Sequence, residues 1–384
     1  MVAVIPLLLL LLVFAGPSSA TDSPPSFETI AKKADQARQA DRLNEALTLY
    51  SEGVRVRPSW ADGWWWQGSI LYDQDRFADA QAPLKHFLAV SSKPAPAFAF
   101  LALCEYETGD YDHALQHFAM WAKHGSPGND ALLDVAGYHW ALLLTREGKF
   151  NPALFMLAAK AQKLGARPAL TEAMGLASLR VAALPENYPA EKREEVWLAG
   201  MAAVYSSLNE LPLSEDYAGR LLRLYGKETN VHYFRGTLFS FQKQWDSAAE
   251  EYQKELEISP ENAAALVELA VARVEGFEPN EALAPAKRSV AIDPENARAH
   301  YIYGRALFET GSYQQSAQEL GVAKRLAPES ARVRFVLSNA YKHLGREQDA
   351  KREQAAFLAL KDKEEVLAPL DEKLNSHAPA GRTQ

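Results

Sequence analysis

Pro260, Pro294 and Pro328 stand 34 residues apart, and each closes nearly the same phrase: "LEISPEN", "VAIDPEN" and "RLAPES". A fixed period of this length is the mark of an array of repeats, and it sets the architecture before any side-chain chemistry is considered. Gly236, Ala270, Gly304 and Ser338 fall at the eighth position of units beginning at 229, 263, 297 and 331. Ala248, Ala282, Ser316 and Ala350 fall at the twentieth. Small residues at these two points let two helices of one unit cross closely. The prolines stop the second helix, because proline has no N–H for the ladder and biases the residue before it away from the helical region. The expected fold is all-α: a right-handed solenoid superhelix of helix-turn-helix repeats.

The same frame runs backwards through the chain. Ala34, Ala46, Tyr50 and Pro58 give a unit at 27–60; Trp64, Gly68, Leu71 and Ala80 give one at 61–94; Phe98, Leu101, Ala102, Ala114 and Phe118 give one at 95–128. After five extra residues, Ala141 and Ala153 place a fourth at 134–167. Small residues at positions eight and twenty, an aromatic near twenty-four such as Tyr252, and proline at thirty-two resemble the tetratricopeptide repeat family. The resemblance covers most of residues 27–364, and it implies a binding scaffold, because the motif residues are packing residues. The stretch Leu184-Pro185, Pro189, Lys192-Arg193, followed by Asn230-Val231-His232-Tyr233 and Gly236, is similar to secreted bacterial members of unknown role.

Six segments follow from this reading. Residues 1–20 read as a signal peptide: an apolar run from Val2 to Phe14, helix-breaking Gly16-Pro17, and Ser18-Ser19-Ala20 as a small-residue cleavage site. Residues 21–26 are a polar linker; 27–167 an N-terminal array of about four repeats; 168–198 a degenerate repeat interrupted by Pro185 and Pro189; 199–364 a C-terminal array of about five repeats; 365–384 a polar tail. The expected location is periplasmic or secreted. An uncleaved N-terminal anchor is the alternative, although the apolar run falls short of the ~20 residues that span a bilayer. With Cys104 as the only cysteine, no intramolecular disulfide can form, and the residue reads as a small buried apolar one.

No phosphate-binding glycine loop, nucleophile elbow or CxxC pair occurs, and a repeat array leaves no segment of domain size in which to house one. No enzyme activity, cofactor or metal site is expected. His113 and His117 share a helix face, but the sequence between them offers neither a zincin glutamate nor a third ligand, so they read as a solvent-facing pair. The net charge of −8, with both signs mixed along the helices, argues against nucleic acid as a partner. Protein or peptide is the expected partner, with no stable membrane insertion after signal cleavage; the sequence does not fix the oligomeric state.

Candidate binding residues come from projecting the second, fifth, ninth and twelfth positions of each first helix onto the groove side. The early units present Trp65, Tyr72, Tyr106 and Tyr138, an aromatic strip with Ala99, Leu103, Val135 and Leu142. The late units present Arg298, Tyr301, Arg305 and Phe308, then Arg332, Phe335, Asn339 and Lys342, where cations alternate with aromatics and would suit an anionic group. Arg305, Asn339 and Lys342 are loosely similar to the carboxylate-holding residues of some family members. The leading expectation is a non-enzymatic module binding an extended peptide or partner helix in a concave groove. One alternative is an assembly scaffold using terminal and convex surfaces; another is an enzyme with its site on 184–195, where Glu186, Lys192, Arg193, Glu194 and Glu195 read as a solvated charge cluster.

Overall fold

The computed structural model describes residues 26–126 and 128–367. Expectations for the signal peptide, most of the linker and the tail beyond 367 therefore lie outside the described residues. The chain divides into two compact units, Met1–Pro127 and Gly128–Gln384. The first holds α1 (Phe27–Gln39), α2 (Leu43–Val56), α3 (Ala61–Asp73), α4 (Phe77–Val90), α5 (Ala95–Glu107) and α6 (Tyr111–Lys123). The second holds α7 (Asp130–Arg146), α8 (Phe150–Leu164), α9 (Pro168–Ser178), α10 (Arg193–Ser207), α11 (Leu211–Tyr225), α12 (Val231–Phe241), α13 (Trp245–Ile258), α14 (Ala263–Glu275), α15 (Pro279–Ile292), α16 (Ala297–Glu309), α17 (Tyr313–Leu326), α18 (Ala331–His343) and α19 (Glu347–Leu367). The described residues are all-α, as the period requires.

Each repeat is closed by two backbone devices. Between its helices one residue adopts the left-handed conformation: Asp41, Asp75, Gly109, Lys243, Phe277, Gly311 and Gly345 recur at one repeat position, with Gly148 and Asn209 at the same point of the displaced units. The next N–H then reaches back over the helix end, as in Arg42 N to Ala37 O at 2.9 Å and Ser312 N to Leu307 O at 2.8 Å, which satisfies carbonyls that the helix leaves open. Between repeats, Asn262, Asn296 and Ser330 after the prolines cap the next helix, accepting from the N–H groups of Ala265, Ala299 and Val333.

The eighth-position glycines do sit at helix crossings, but the side chain above each comes from position twenty-four. A Cβ built on Gly68, Gly236 or Gly304 would lie 2.6, 2.7 and 2.6 Å from Leu84, Tyr252 and Leu320 respectively. The twentieth position supplies a second contact, Ser316 Oγ donating to Gly304 O at 2.7 Å. Ser214 Oγ donates to Ala202 O at 2.8 Å in the same way, so Ala202 and Ser214 are the eighth and twentieth residues of a unit starting at 195. Ala218, further along the same helix as Ser214, holds the twenty-fourth position of that unit.

The interrupted stretch has a different architecture from a repeat. After α9 the chain turns at Arg180, with φ 55°, and passes through two short 3₁₀ turns, Pro185–Asn187 and Ala190–Lys192. The missing partner helix is replaced by α10, which packs on both α9 and α11. Gly175 and Gly200 make this possible, since a Cβ on either would stand 1.9 Å from a backbone oxygen of the other helix, Val196 O and Thr171 O.

Candidate functional site

Within each unit the first helices of successive repeats touch one another: α3 with α5, and α12, α14, α16 and α18 in succession. These first helices therefore line one side of each run, and the projected candidates lie on them.

In the first unit, Trp65, Tyr72 and Phe100 are half-buried and meet edge to face. Phe100 stands 5.3 Å from Trp65 and 5.0 Å from Tyr72 between ring centroids, with Phe87 and Phe77 behind them. The arrangement is the favourable one for ring quadrupoles and leaves part of each face open. Burial pushes the Tyr72 hydroxyl up to about 12, which marks how far the ring is withdrawn from water. Phe100 was not among the sequence candidates; it lies at the sixth helix position, outside the projected stripe. Ala99 and Leu103, which were projected onto the same strip, are completely covered. Tyr106 is half-buried against Tyr111 at 5.6 Å.

In the second unit, Tyr138 is half-buried and its hydroxyl donates to Ala169 O at 3.2 Å; burial first, then the nearby Glu172 and Glu186, push it up to about 12. The late face does not present bare cations. Arg305 is held by Glu275 and, at 2.9 Å, by Glu309, while Arg298 is held by Glu268 at 2.8 Å. Both bonds to the preceding first helix span 30 residues, so the pairs form rungs between neighbouring first helices. Two of the four cations read from the sequence as an anion site are thus already matched by carboxylates. Tyr301 is half-buried, and Arg332 and Asn339 likewise; Lys342 is exposed and lies 3.3 Å from Asn339 Oδ1. Phe335 is 45% exposed, against Phe357 at 5.3 Å.

Sequence reasoning missed a set of largely buried pairs, each of a basic side chain with a glutamate, that lock the helices of a repeat. The fourth and twenty-third positions carry His232 with Glu251 at 2.6 Å, His300 with Glu319 at 2.7 Å, and Arg334 with Glu353 at 2.7 Å. A base and a glutamate at those two positions in three units is the signal that could have found them. The histidine pair also needs correcting: His113 stays exposed beside Asp110, but His117 turns inward to the fully buried Glu105 at 2.6 Å. In the interruption, Glu186, Lys192, Arg193 and Glu194 are exposed as expected, whereas Glu195 is buried. Burial, then Glu228, raises its pKa. Among the described residues no group of three or more His, Cys, Asp or Glu could hold a metal ion. The Cys104 thiol, fully buried, is pushed up to about 12 by that burial and so stays protonated.

Paired helices with small crossing residues, stacked through their first helices, define a helical repeat scaffold. The tetratricopeptide repeat model matches residues 32–85, 71–130 and 267–331, so these stretches carry tetratricopeptide repeats. Solved structures similar to it include the MamA RS-1 ArsTM double mutant, at 15% identity and TM-score 0.42, covering 44% of this chain and 96% of that one. YrrB, titled a TPR protein with an unusual peptide-binding site, is 18% identical at TM-score 0.39, covering 48% and 94%. MamA 41-end from Desulfovibrio magneticus RS-1 is 18% identical at TM-score 0.39, covering 44% and 97%. No curated protein matches the sequence.

Proposed function

We propose that this chain is a protein-interaction module that binds an extended peptide or a partner's helix along its first-helix face, and that it works in a bacterial envelope. The observation that supports peptide binding is the Trp65–Phe100–Tyr72 ledge, half-covered aromatics held rigid by one another on neighbouring helices. Such rings offer contact area with little side-chain entropy left to lose, and they are the residue types that dominate interface energetics. The late face contributes a different property. With Arg298 and Arg305 already paired, it favours a partner that is apolar or of mixed charge over a strongly acidic one. Once a partner is captured from envelope extract, Trp65→Ala should weaken its binding by about 2 kcal/mol, with little change in salt dependence, because the lost contact is apolar. Calorimetric titration checks this, and wild-type affinity in the variant would remove the ledge from the site.

Export rests on the apolar run and the Ser18-Ser19-Ala20 site. Among the described residues no helix is long and apolar enough to cross a membrane. In the native host the intact mass should correspond to a chain beginning at Thr21; a chain recovered with residues 1–20 in place would contradict cleavage.

A further inference from the structure

At the left-handed position between the helices of each repeat the chain mostly uses Gly, Asp or Asn, residues that adopt this conformation with little strain. Lys243 and Phe277 are the exceptions, and Phe277 is the bulkier. It holds φ 63°, where a bulky side chain is disfavoured, and it is 93% exposed, the most solvent-facing large apolar residue among those described. A residue that strains its own turn and gains nothing from burial does nothing for the stability of the isolated fold. Phe277 walls an open hollow of about 420 Å³, together with Lys243, Gln244, Trp245, Asp246 and Ser247 at the preceding repeat's turn and Gly276.

The rim also lacks a tie that some repeats make. In four other repeats the residue capping the second helix is tied to the residue three further on: Arg42 to Glu45, Arg76 to Asp79, Asp110 to His113 and Arg346 to Asp349. At the hollow the corresponding residues are Gln244 and Ser247, and no such tie is made. Lys243 and Asp246 instead flank the cap, both exposed, with no ion pair or side-chain hydrogen bond drawn from the described residues.

We propose that this edge is a self-association surface, on which Phe277 of each copy seats in the hollow of the other across a two-fold axis. The choice of a second copy over a foreign partner rests on charge. One small patch carries a plug, a hollow and an unpaired charge of each sign, so a two-fold operation sets Lys243 of one copy toward Asp246 of the other. A foreign partner would require no such self-matching. The surface is formed by turns and is distinct from the first-helix face, so it can be occupied while a peptide is bound.

Sedimentation velocity of the full chain over about 1 to 100 μM reads the proposal directly, because a small interface of this kind gives weak, concentration-dependent dimers. Wild type should shift from monomer to dimer across that range, and Phe277→Gly should raise the dissociation constant about tenfold or more. The same variant should resist urea better than wild type, since glycine relieves the left-handed strain; a residue placed for packing would show the opposite change. Charge reversal provides a second reading independent of that turn. Lys243→Asp and Asp246→Lys should each weaken the dimer, and the double variant should restore it. A wild type that stays monomeric throughout, a Phe277→Gly chain that dimerises as wild type does, or a double reversal that fails to recover would each overturn the proposal.

Discussion

At the scale of single residues, the fold is governed by how little space is left where helices cross. Gly304 is the clearest case, with its missing Cβ position 2.6 Å from Leu320 Cγ and its own carbonyl accepting from Ser316 at 2.7 Å. Leu320 is fully buried and cannot swing into water, so a methyl group at 304 must push α16 off α17. Gly304→Ala is expected to cost about 1–3 kcal/mol in urea unfolding, the usual penalty for overpacking, despite alanine's better helix propensity. Adding Leu320→Ala should return part of that loss by vacating the contact, and a strictly additive double variant would show that the two positions do not meet. The period made the need for a small residue at 304 legible. The identity of the residue above it was not, because two positions of the second helix compete for that place and only their side-chain lengths decide: Ser316 reaches the carbonyl and Leu320 covers the Cα.

At the scale of helices, the sequence was most legible where the repeat is regular and least where one glycine overrides a pattern. The frames at 27, 61, 95 and 134, and again at 229, 263, 297 and 331, match the helix pairs observed, because the small residues of each unit, with prolines and caps in several, point to one register. Between 168 and 194 those signals separate. Gly175 is the eighth residue from Pro168, yet its crossing partner is α10, reached through Gly200 twenty-five residues on. Nothing local marks Gly200 as that partner, because both helices are apolar on several sides and either could have packed elsewhere. The candidate site divides in the same way. Trp65 and Tyr72 were visible from helix periodicity alone, since their positions repeat. Phe100 was not, because it belongs to the next repeat's helix and enters the ledge only through the stacking of one unit on another. The carboxylates that hold Arg298 and Arg305 were hidden for that reason too: Glu268 and Glu275 lie on the preceding first helix.

At the scale of the whole chain, the buried ion pairs are unevenly distributed, and that has a consequence for acid stability. Glu251 and Glu353, both in residues 128–384, are buried, which by itself would raise their pKa values; hydrogen bonds and charge from Lys254 and His232, and from Arg334 and Lys324, outweigh the burial and hold both below the ordinary carboxylate range. A carboxyl whose folded pKa is depressed contributes stability that is complete above its unfolded value, about 4.3, and is lost as pH falls through the folded value. Glu195 works in the opposite sense, because its raised pKa means that acidification relieves the cost of burying its charge. The net effect should therefore be local rather than uniform. On lowering the pH from 7 to below about 4, hydrogen-exchange protection factors are expected to fall first in α13 and in α18–α19, where Glu251 and Glu353 sit, while α10 keeps its protection. Glu251→Gln should destabilise the chain at neutral pH, by leaving His232 and Lys254 without their anion, and should flatten the acid limb at α13 alone. Equal acid sensitivity of α13 in the variant and the wild type would show that this pair does not set the order in which the helices open.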